Sequence, residues 1–299
     1  MTGALMVIGG AEDKTGTRQV LSRFAKLAGG AAARIAVVAT ASSLGDEIID
    51  AYREAFADVG VTDVVAPRPR TRAESSDPEL VAAIDGATGV FMTGGNQSTL
   101  SGVVAGTPFG TAIREAHARG AVVGGTSAGA SVQSEHMVAF GRSGSTPKLR
   151  MAQMSAGLGL LPDLVIDQHF EQRNRHGRLL ALVSHAPHLL GMGVDEDTAA
   201  VITGTRLEVI GRGAVTLMDG RWMTSNVDTA RGSAPLLASG VLLHSLPAGS
   251  RFDLESRTLL PGIGGRPDDL RETHPAPTGS LEHRIAVEGA LGDHVRSRS

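Results

Sequence analysis

Residues 121–130, Ala-Val-Val-Gly-Gly-Thr-Ser-Ala-Gly-Ala, constrain the fold of this chain more than any other stretch. Residues 121–123 are small or β-branched and apolar, which predicts a strand buried on both faces. Gly125, Ser127 and Gly129 then match the pattern G-x-S-x-G, and the residues after them favour a helix. A strand, a sharp turn and a helix in this order are typical of a nucleophile elbow, which raises a serine hydroxyl above the sheet edge.

The geometry of an elbow explains why glycine stands on both sides of the serine. A Cβ atom at position 125 or 129 would collide with neighbouring backbone. The N–H groups at the start of the following helix stabilise a developing oxyanion, and our candidate oxyanion hole is the N–H groups of Gly95 and Ala128. The alternative is a glycine-rich turn in which Ser127 only caps a helix, and the pattern alone does not separate the two.

Strands and helices are predicted to alternate around this stretch. Predicted strands lie at 4–8, 35–39, 61–65, 90–92 and 121–125, with helically spaced apolar residues between them. Such alternation predicts right-handed crossovers and an α/β fold with a mostly parallel central sheet flanked by helices. Three later segments, at 199–203, 207–210 and 215–218, predict antiparallel strands or β-hairpins added to this sheet.

Three of the predicted strands end in loops rich in glycine or serine, at residues 9–13, 93–97 and 124–129. In an open parallel sheet the ligand crevice lies at the carboxyl ends of the strands, so the loops are predicted to share one site. Nucleotide binding is the competing interpretation. It is disfavoured because none of the loops matches G-x-G-x-x-G or G-x-x-x-x-G-K-[ST].

A serine nucleophile needs a base, and the base needs an orienting acid. Most of the ten histidines lie in predicted helices or near the C-terminus. His169 instead follows an apolar strand at 164–166 and is predicted to stand over the same sheet edge as Ser127. Glu196 follows a predicted strand at 191–194, but Asp195 and Asp197 compete with it for the role of the acid.

Composition excludes several classes of function. The chain has no cysteine, which rules out disulfides, thiolate metal sites and a cysteine nucleophile. No group of His, Asp and Glu has ligand spacing, so we expect no metal and no cofactor. A formal charge of −3 gives no basic field for nucleic acid or an anionic membrane. No signal peptide or membrane span is recognisable, and we expect a cytoplasmic protein.

The predicted organisation is one α/β domain at 1–263 and a polar, loosely held C-terminal extension at 264–299, rich in Pro, Gly and Arg. Residues 139–150 predict an exposed loop that acts as a lid. A helix is predicted over 172–185.

Five motifs carry a resemblance to a known family. They are residues 9–14 (GGAEDK), 93–97 (TGGNQ), 125–130 (GTSAGA), 167–170 (DQHF) with Arg173, Arg175 and Arg178, and 193–196 (GVDE). Together they resemble the cyanophycinases, serine exopeptidases related to aspartyl dipeptidase and more distantly to class I glutamine amidotransferases. The resemblance runs from about Met6 to Asp253, and it implies a class I glutamine amidotransferase-like fold with flavodoxin-like layering, and a homodimer.

Position by position, the resemblance implies that Ser127 is the nucleophile, His169 the base and Glu196 the acid. The residues that it implies for the substrate pocket are Gln97, Asp167, Gln168, Arg173, Arg175 and Arg178. Asn96 departs from the family pattern, because Asp is expected there in many relatives, and this puts one pocket charge in doubt.

The family's substrate gives the arginines a physical role. Cyanophycin is a polyaspartate chain with arginine joined to its side chains by isopeptide bonds, so each unit offers a carboxylate and a guanidinium. The arginines would supply forked donors for the carboxylate, and Asp167 or Glu171 would meet the guanidinium. Arg175 and Arg178 share a face of the predicted helix, whereas Arg173 does not lie squarely beside them. The alternative is a solvated helix face.

The predicted function is hydrolysis of cyanophycin, through an acyl-enzyme, to β-aspartyl-arginine dipeptides. The expected partner is the polymer or aspartyl-arginine peptides. One alternative is an aspartyl dipeptidase that cleaves only short Asp-X peptides. Another is a non-catalytic binding protein on the same fold, which an intact set of Ser127, His169 and Glu196 disfavours.

Overall fold

The computed structural model describes residues 2–261, so the predicted extension at 264–299 lies outside the described residues. The first elements are β1 (Leu5–Ile8), α1 (Gln19–Ala28), β2 (Arg34–Val38), α2 (Asp46–Asp58), β3 (Asp63–Val65), α3 (Pro78–Asp85), β4 (Gly89–Met92), α4 (Gln97–Val104), α5 (Pro108–Ala118), β5 (Val122–Thr126), α6 (Ala128–Ser131), β6 (His136–Gly141) and β7 (Ala152–Ala156). They continue with β8 (Leu164–Gln168), α7 (His176–His185), β9 (Leu190–Val194), β10 (Thr198–Thr203), β11 (Arg206–Gly211), β12 (Ala214–Asp219), β13 (Thr224–Ser225), β14 (Ala238–Ser239), β15 (Leu242–Pro247), β16 (Arg251–Asp253) and β17 (Thr258–Leu260). The described residues up to Leu259 form one compact unit, and the boundary at residue 263 stays a prediction.

The central sheet has nine strands in the order β17-β16-β11-β10-β1-β5-β4-β2-β3. Strands β1, β5, β4, β2 and β3 run parallel to one another, and helices connect them because a parallel neighbour requires a crossover. Strands β10 and β11 form an antiparallel hairpin beside β1. The predicted α/β fold with a mostly parallel sheet and an added hairpin is confirmed.

A second sheet has four strands in the order β15-β12-β9-β8. Strands β8 and β9 are parallel, and β12 pairs antiparallel with both β9 and β15. The prediction that residues 215–218 extend the central sheet is therefore wrong. The prediction that His169 stands over the same sheet edge as Ser127 is also wrong, because β8 pairs with β9 and not with a strand of the central sheet.

The loop after β1 joins the two sheets at the end where their parallel strands finish. The N–H of His169 donates to the carbonyl oxygen of Gly9 at 2.7 Å, and the N–H of Asp197 donates to that of Gly10 at 2.9 Å. A Cβ atom on Gly9 would lie 1.9 Å from the carbonyl oxygen of Asp195, so only glycine permits this approach. The glycines after β1 therefore bring the ends of β8 and β9 next to the central sheet.

Both faces of the central sheet are buried. Leu5 and Val7 of β1 point into a core shared with α4, α5 and the second sheet, whereas Met6 and Ile8 point into a core shared with α1 and α2. This pattern is expected of parallel strands that are covered on both faces. Within residues 2–261, no helix has the length and apolar character needed to cross a membrane.

Helix α4 begins inside a segment that the sequence predicts as a loop. The side-chain oxygen of Asn96 accepts the N–H of Thr99 at 3.0 Å and caps the helix. Because the first three residues of α4 are polar, the sequence does not show the helical spacing of apolar residues there.

Two other segments also differ from the predictions. Strand β6 includes the first residues of the predicted 139–150 loop and pairs with β7. Helix α7 begins at His176 and not at residue 172, because Asn174 has a left-handed backbone with φ of 47°.

Candidate active site

Ser127 occupies a strained turn between β5 and α6, with φ of 53° and ψ of −108°. Its N–H donates to the carbonyl oxygen of Ile8 at 3.0 Å, which ties the turn to β1. A Cβ atom on Gly125 would lie 2.0 Å from the carbonyl oxygen of Gly129, and one on Gly129 would lie 2.2 Å from that of Met92. The prediction that both flanking positions require glycine is confirmed.

His169 directly follows β8 and reaches the elbow from the second sheet. Its Nε2 lies 2.9 Å from the Oγ of Ser127. The backbone of His169 is left-handed, with φ of 45°, and only 8% of the residue is exposed. A Cβ atom on Gly10 would lie 2.3 Å from the Cε1 of His169, so the glycine makes room for the imidazole ring.

Glu196 follows β9, and its Oε1 lies 2.6 Å from the Nδ1 of His169. The neighbouring residues Asp195 and Asp197 form other hydrogen bonds. Both carboxylate oxygens of Asp195 accept backbone N–H groups, and the Oδ1 of Asp197 accepts the N–H of Asp13 at 2.9 Å. Of the three acids that the sequence left open, Glu196 is the one in contact with the imidazole. An acid on Nδ1 leaves Nε2 free to accept a proton from the serine.

The environment of His169 keeps its imidazole neutral. Burial lowers the pKa of His169 below its ordinary value of 6.5, while the hydrogen bond and the charge of Glu196 oppose that change. The positive charges of Arg173 and Arg175 lower the pKa further. A neutral imidazole at pH 7 is the form that acts as a general base.

The loop after β4 approaches the elbow from the side of the central sheet. A Cβ atom on Gly94 would lie 3.4 Å from the Cβ of Ser127. Gly95 has φ of 140°, and a Cβ there would lie 2.0 Å from the carbonyl oxygen of Ala41. Within the described part of the chain, the N–H groups of Gly95 and Ala128 have no protein acceptor, so both can donate to a ligand.

Two of the three predicted pocket arginines surround one buried carboxylate. Asp167 is fully buried and accepts the Nε of Arg178 at 2.7 Å, a second contact from the same guanidinium, and the Nη1 of Arg175 at 3.2 Å. Arg178 also donates to the carbonyl oxygen of Gly141 at 3.2 Å, and Arg175 donates to the Oε1 of Gln168 at 2.6 Å. Burial lowers the pKa of Arg175 to about 10, so it remains charged at neutral pH.

The three arginines therefore differ in their access to a ligand. Arg178 is 3% exposed and directs its donors into the protein. Arg175 is 8% exposed, and its Nε has no hydrogen-bond partner among the described residues. Arg173 is exposed, and its charge lowers the pKa of His169. Arg175 immediately precedes α7 and Arg178 lies within it, and both contact Asp167, so the two arginines lie on one side as predicted.

The predicted pocket glutamines hold neighbouring elements in place. The Nε2 of Gln97 donates to the carbonyl oxygen of Ala139 at 2.8 Å, which ties the start of α4 to β6. The Nε2 of Gln168 donates to the Oγ of Ser131 on α6 at 3.4 Å. Asn96 caps α4 through its side-chain oxygen, a role that an aspartate fills equally well.

Comparison with known proteins identifies the family. Residues 5–210 match peptidase family S51. The chain belongs to the cyanophycinase family of S51 peptidases. It is 40% identical to a cyanophycinase of Geminocystis herdmanii over 88% of this chain and 98% of the relative. It is also 40% identical to a cyanophycinase of a Nostoc species, over 87% of this chain and 88% of that protein.

A solved structure agrees with the fold of this S51 peptidase. The crystal structure of a peptidase from an acI-B1 Actinobacterium has a TM-score of 0.58 and covers 82% of this chain and 98% of its own. The two sequences are 20% identical, so the likeness concerns the fold.

Glu12 of this S51 peptidase lies in the first family motif and has a structural role that residue patterns did not predict. Glu12 is 3% exposed, and its Oε2 accepts the hydroxyl of Thr126, the residue before the elbow serine, at 2.5 Å. Its Oε1 accepts the Tyr52 hydroxyl and pairs with the Nζ of Lys14 at 2.9 Å. Burial, followed by the charge of Glu12, raises the pKa of Tyr52. An acidic residue within a glycine loop after a buried strand was the available signal.

Proposed function

We propose that this peptidase hydrolyses the backbone of cyanophycin and releases β-aspartyl-arginine dipeptides. The observation that carries the proposal is the chain of contacts from Ser127 Oγ to His169 Nε2, at 2.9 Å, and from His169 Nδ1 to Glu196, at 2.6 Å. The substrate class is supported by relatives named cyanophycinases, which are 40% identical over most of the chain.

In the proposed mechanism, the Oγ of Ser127 attacks the carbonyl carbon of the scissile peptide bond while the Nε2 of His169 accepts its proton. Glu196 orients the ring and stabilises the imidazolium. The N–H groups of Gly95 and Ala128 donate to the oxyanion. His169 then protonates the leaving amine, and an acyl-enzyme remains. Water gives a proton to His169 and attacks the ester carbonyl; the ester bond breaks, His169 returns that proton to the Oγ of Ser127, and the acyl product is released.

We assign the carboxylate of the substrate unit to the exposed Arg173 and to Arg175, which is 8% exposed. Arg173 and Arg175 meet the carboxylate of the arginyl group, because a guanidinium offers a forked pair of donors. Asp167 and Arg178 hold Arg175 from behind, a supporting role that replaces the contact with substrate predicted for them. Gln97 and Gln168 shape the walls of the pocket.

The test is to incubate the pure protein with insoluble cyanophycin and identify the released fragments by mass spectrometry. We expect β-aspartyl-arginine dipeptides, and we expect Ser127→Ala to lower kcat by roughly 10⁴-fold or more without unfolding the protein. A metal chelator should change nothing. Free Asp-X dipeptides are assayed alongside the polymer as the comparison substrate. Their rapid cleavage beside an untouched polymer would contradict the assignment of substrate and leave the serine mechanism standing.

We also propose a homodimer, as the family resemblance implies, and a cytoplasmic location. The edge strand β15 supports an assembly through the second sheet, because Leu242 and Leu243 on it are 41% and 56% exposed. Fractionation of cells that carry a tagged copy of the chain tests the cytoplasmic location.

A further inference from the structure

A cavity lies at the loop between β6 and β7. It has a volume of about 460 Å³, and Arg142, Lys148 and Arg150 are among the residues that line it. None of the described residues in its lining is acidic. All three cations are exposed, and none is ion-paired with another described residue. We call the cavity that these three residues line the basic cavity. Three unpaired cations around one concave surface concentrate positive potential in a chain whose formal charge is −3.

The basic cavity is held directly against the segment that carries the base. The N–H of Gly144 donates to the carbonyl oxygen of Asn174 at 2.7 Å, and the N–H of Gly177 donates to that of Gly144 at 2.9 Å. Asn174 follows His169 by five residues. On the preceding strand β6, the carbonyl oxygen of Ala139 accepts a hydrogen bond from the Nε2 of Gln97 at 2.8 Å. Gln97 lies two residues after Gly95, which belongs to the candidate oxyanion hole. The hairpin that bears the cavity is therefore attached to both sides of the candidate active site.

Backbone contacts fix the shape of the cavity. The N–H of Leu149 donates to the carbonyl oxygen of Ala234 at 3.1 Å, and the N–H of Leu236 donates to that of Pro147 at 2.9 Å. A Cβ atom on Gly177 would lie 2.6 Å from the backbone of Thr146, so α7 contacts the loop closely. A site with a preformed backbone loses less conformational entropy when a ligand binds.

The proposed substrate matches this surface in charge. An extended polyaspartate backbone advances about 3.3–3.6 Å per residue, and successive side chains point to opposite sides. Carboxylates of every second arginyl group therefore recur on one side of the chain. A cavity with three cations and no anion attracts those carboxylates and leaves the guanidinium groups directed to solvent.

We propose that the basic cavity binds carboxylates of cyanophycin units beyond the unit that is cleaved, and so gives the enzyme its preference for the polymer over short fragments. This inference rests on the proposed function. The inference concerns residues outside the candidate active site, whereas the proposed function concerns Ser127 and the bond that is cleaved.

The test compares two triple variants of the full chain. Arg142→Gln/Lys148→Gln/Arg150→Gln removes the cations of the cavity. Arg53→Gln/Arg114→Gln/Arg251→Gln removes three exposed cations elsewhere and changes the net charge equally. At low ionic strength we expect the first variant to raise KM for the polymer about tenfold, with an unchanged kcat and an unchanged KM for a two-unit fragment. In 1 M NaCl, where the Debye length is about 3 Å, the difference should disappear.

Co-sedimentation with insoluble polymer, using each variant in a Ser127→Ala background, measures binding independently of cleavage. Weaker sedimentation of the cavity variant than of the control supports the inference, even for a protein that does not cleave the polymer, in which case the proposed function fails alone. Equal sedimentation and equal KM values for the two triple variants would overturn the inference while leaving the cleavage mechanism intact.

Discussion

At the scale of single residues, the imidazole of His169 lies between charges of opposite sign. Glu196 contacts Nδ1 and favours the protonated ring, whereas burial and the exposed guanidinium of Arg173 favour the neutral ring. Burial is the largest of these effects, so the pKa lies below 6.5. The protonation state of the His169 imidazole at neutral pH therefore depends on its desolvation more than on any single charge.

The pH dependence of kcat/KM should report this balance. Because the base must be neutral, activity falls as pH drops through the pKa of His169, and the midpoint of that acidic limb should lie below 6.5. Arg173→Gln removes a charge that lowers the pKa, so the limb should move to higher pH. Arg114→Gln, on an exposed face of α5, is the control and should leave the midpoint in place. A shift to lower pH in Arg173→Gln would contradict this account.

Arg178 should matter for stability more than for substrate affinity. Arg178→Ala leaves the fully buried Asp167 with one of its two cations, and breaking a buried pair costs about 3–5 kcal/mol in the free energy of unfolding. The exposed Arg173 is the matched control, and Arg173→Ala should change that free energy by about 0.5 kcal/mol or less. Urea unfolding of both variants measures the difference. Equal midpoints would show that the buried cluster contributes little.

At the scale of elements, the elbow depends on contacts that a single methyl group would destroy. Gly129→Ala places a Cβ atom 2.2 Å from the backbone of Met92, in a neighbouring strand that cannot yield easily. We expect a loss of about 1–3 kcal/mol in unfolding free energy, together with a displaced Ser127 and a lower kcat.

Gly102 in α4 provides the matched control for that substitution. A Cβ atom there meets no atom within 4 Å, so Gly102→Ala should stabilise the helix by about 0.5–1 kcal/mol. Both variants are compared by urea unfolding and by turnover. If Gly129→Ala is as stable and as active as Gly102→Ala, the elbow does not require glycine at that position.

At the scale of the whole molecule, the second sheet presents an edge strand with exposed leucines. We expect Leu242→Asp/Leu243→Asp to convert a homodimer into a monomer, because charges along an edge strand oppose pairing. Leu44→Asp, at a position 58% exposed near α2, is the control and should keep the dimer. Light scattering after gel filtration measures the mass. A wild type that is monomeric at micromolar concentration would contradict the proposal.

The sequence by itself determined the elbow, the alternation of strands and helices in the first half, and the added β10–β11 hairpin. These features follow from local physics. A strand that is covered on both faces must be apolar throughout, and a turn whose backbone crosses another strand at close distance accepts glycine only. The turn can therefore be predicted from the local pattern of Gly125, Ser127 and Gly129, without any tertiary contact. Beside them, α4 escaped prediction because its cap, Asn96, precedes a polar first turn.

Only the tertiary structure decided how His169 and Glu196 meet Ser127. His169 and Glu196 end strands of a second sheet, and the glycines at 9 and 10 bring that sheet to the elbow, a contact between residues far apart in sequence. The same packing brings Glu196, and not Asp195 or Asp197, into contact with His169. It also directs Arg178 inward to Asp167. Local patterns report which face of an element is buried, but the neighbour that buries it depends on long-range pairing, which the spacing of residues does not encode.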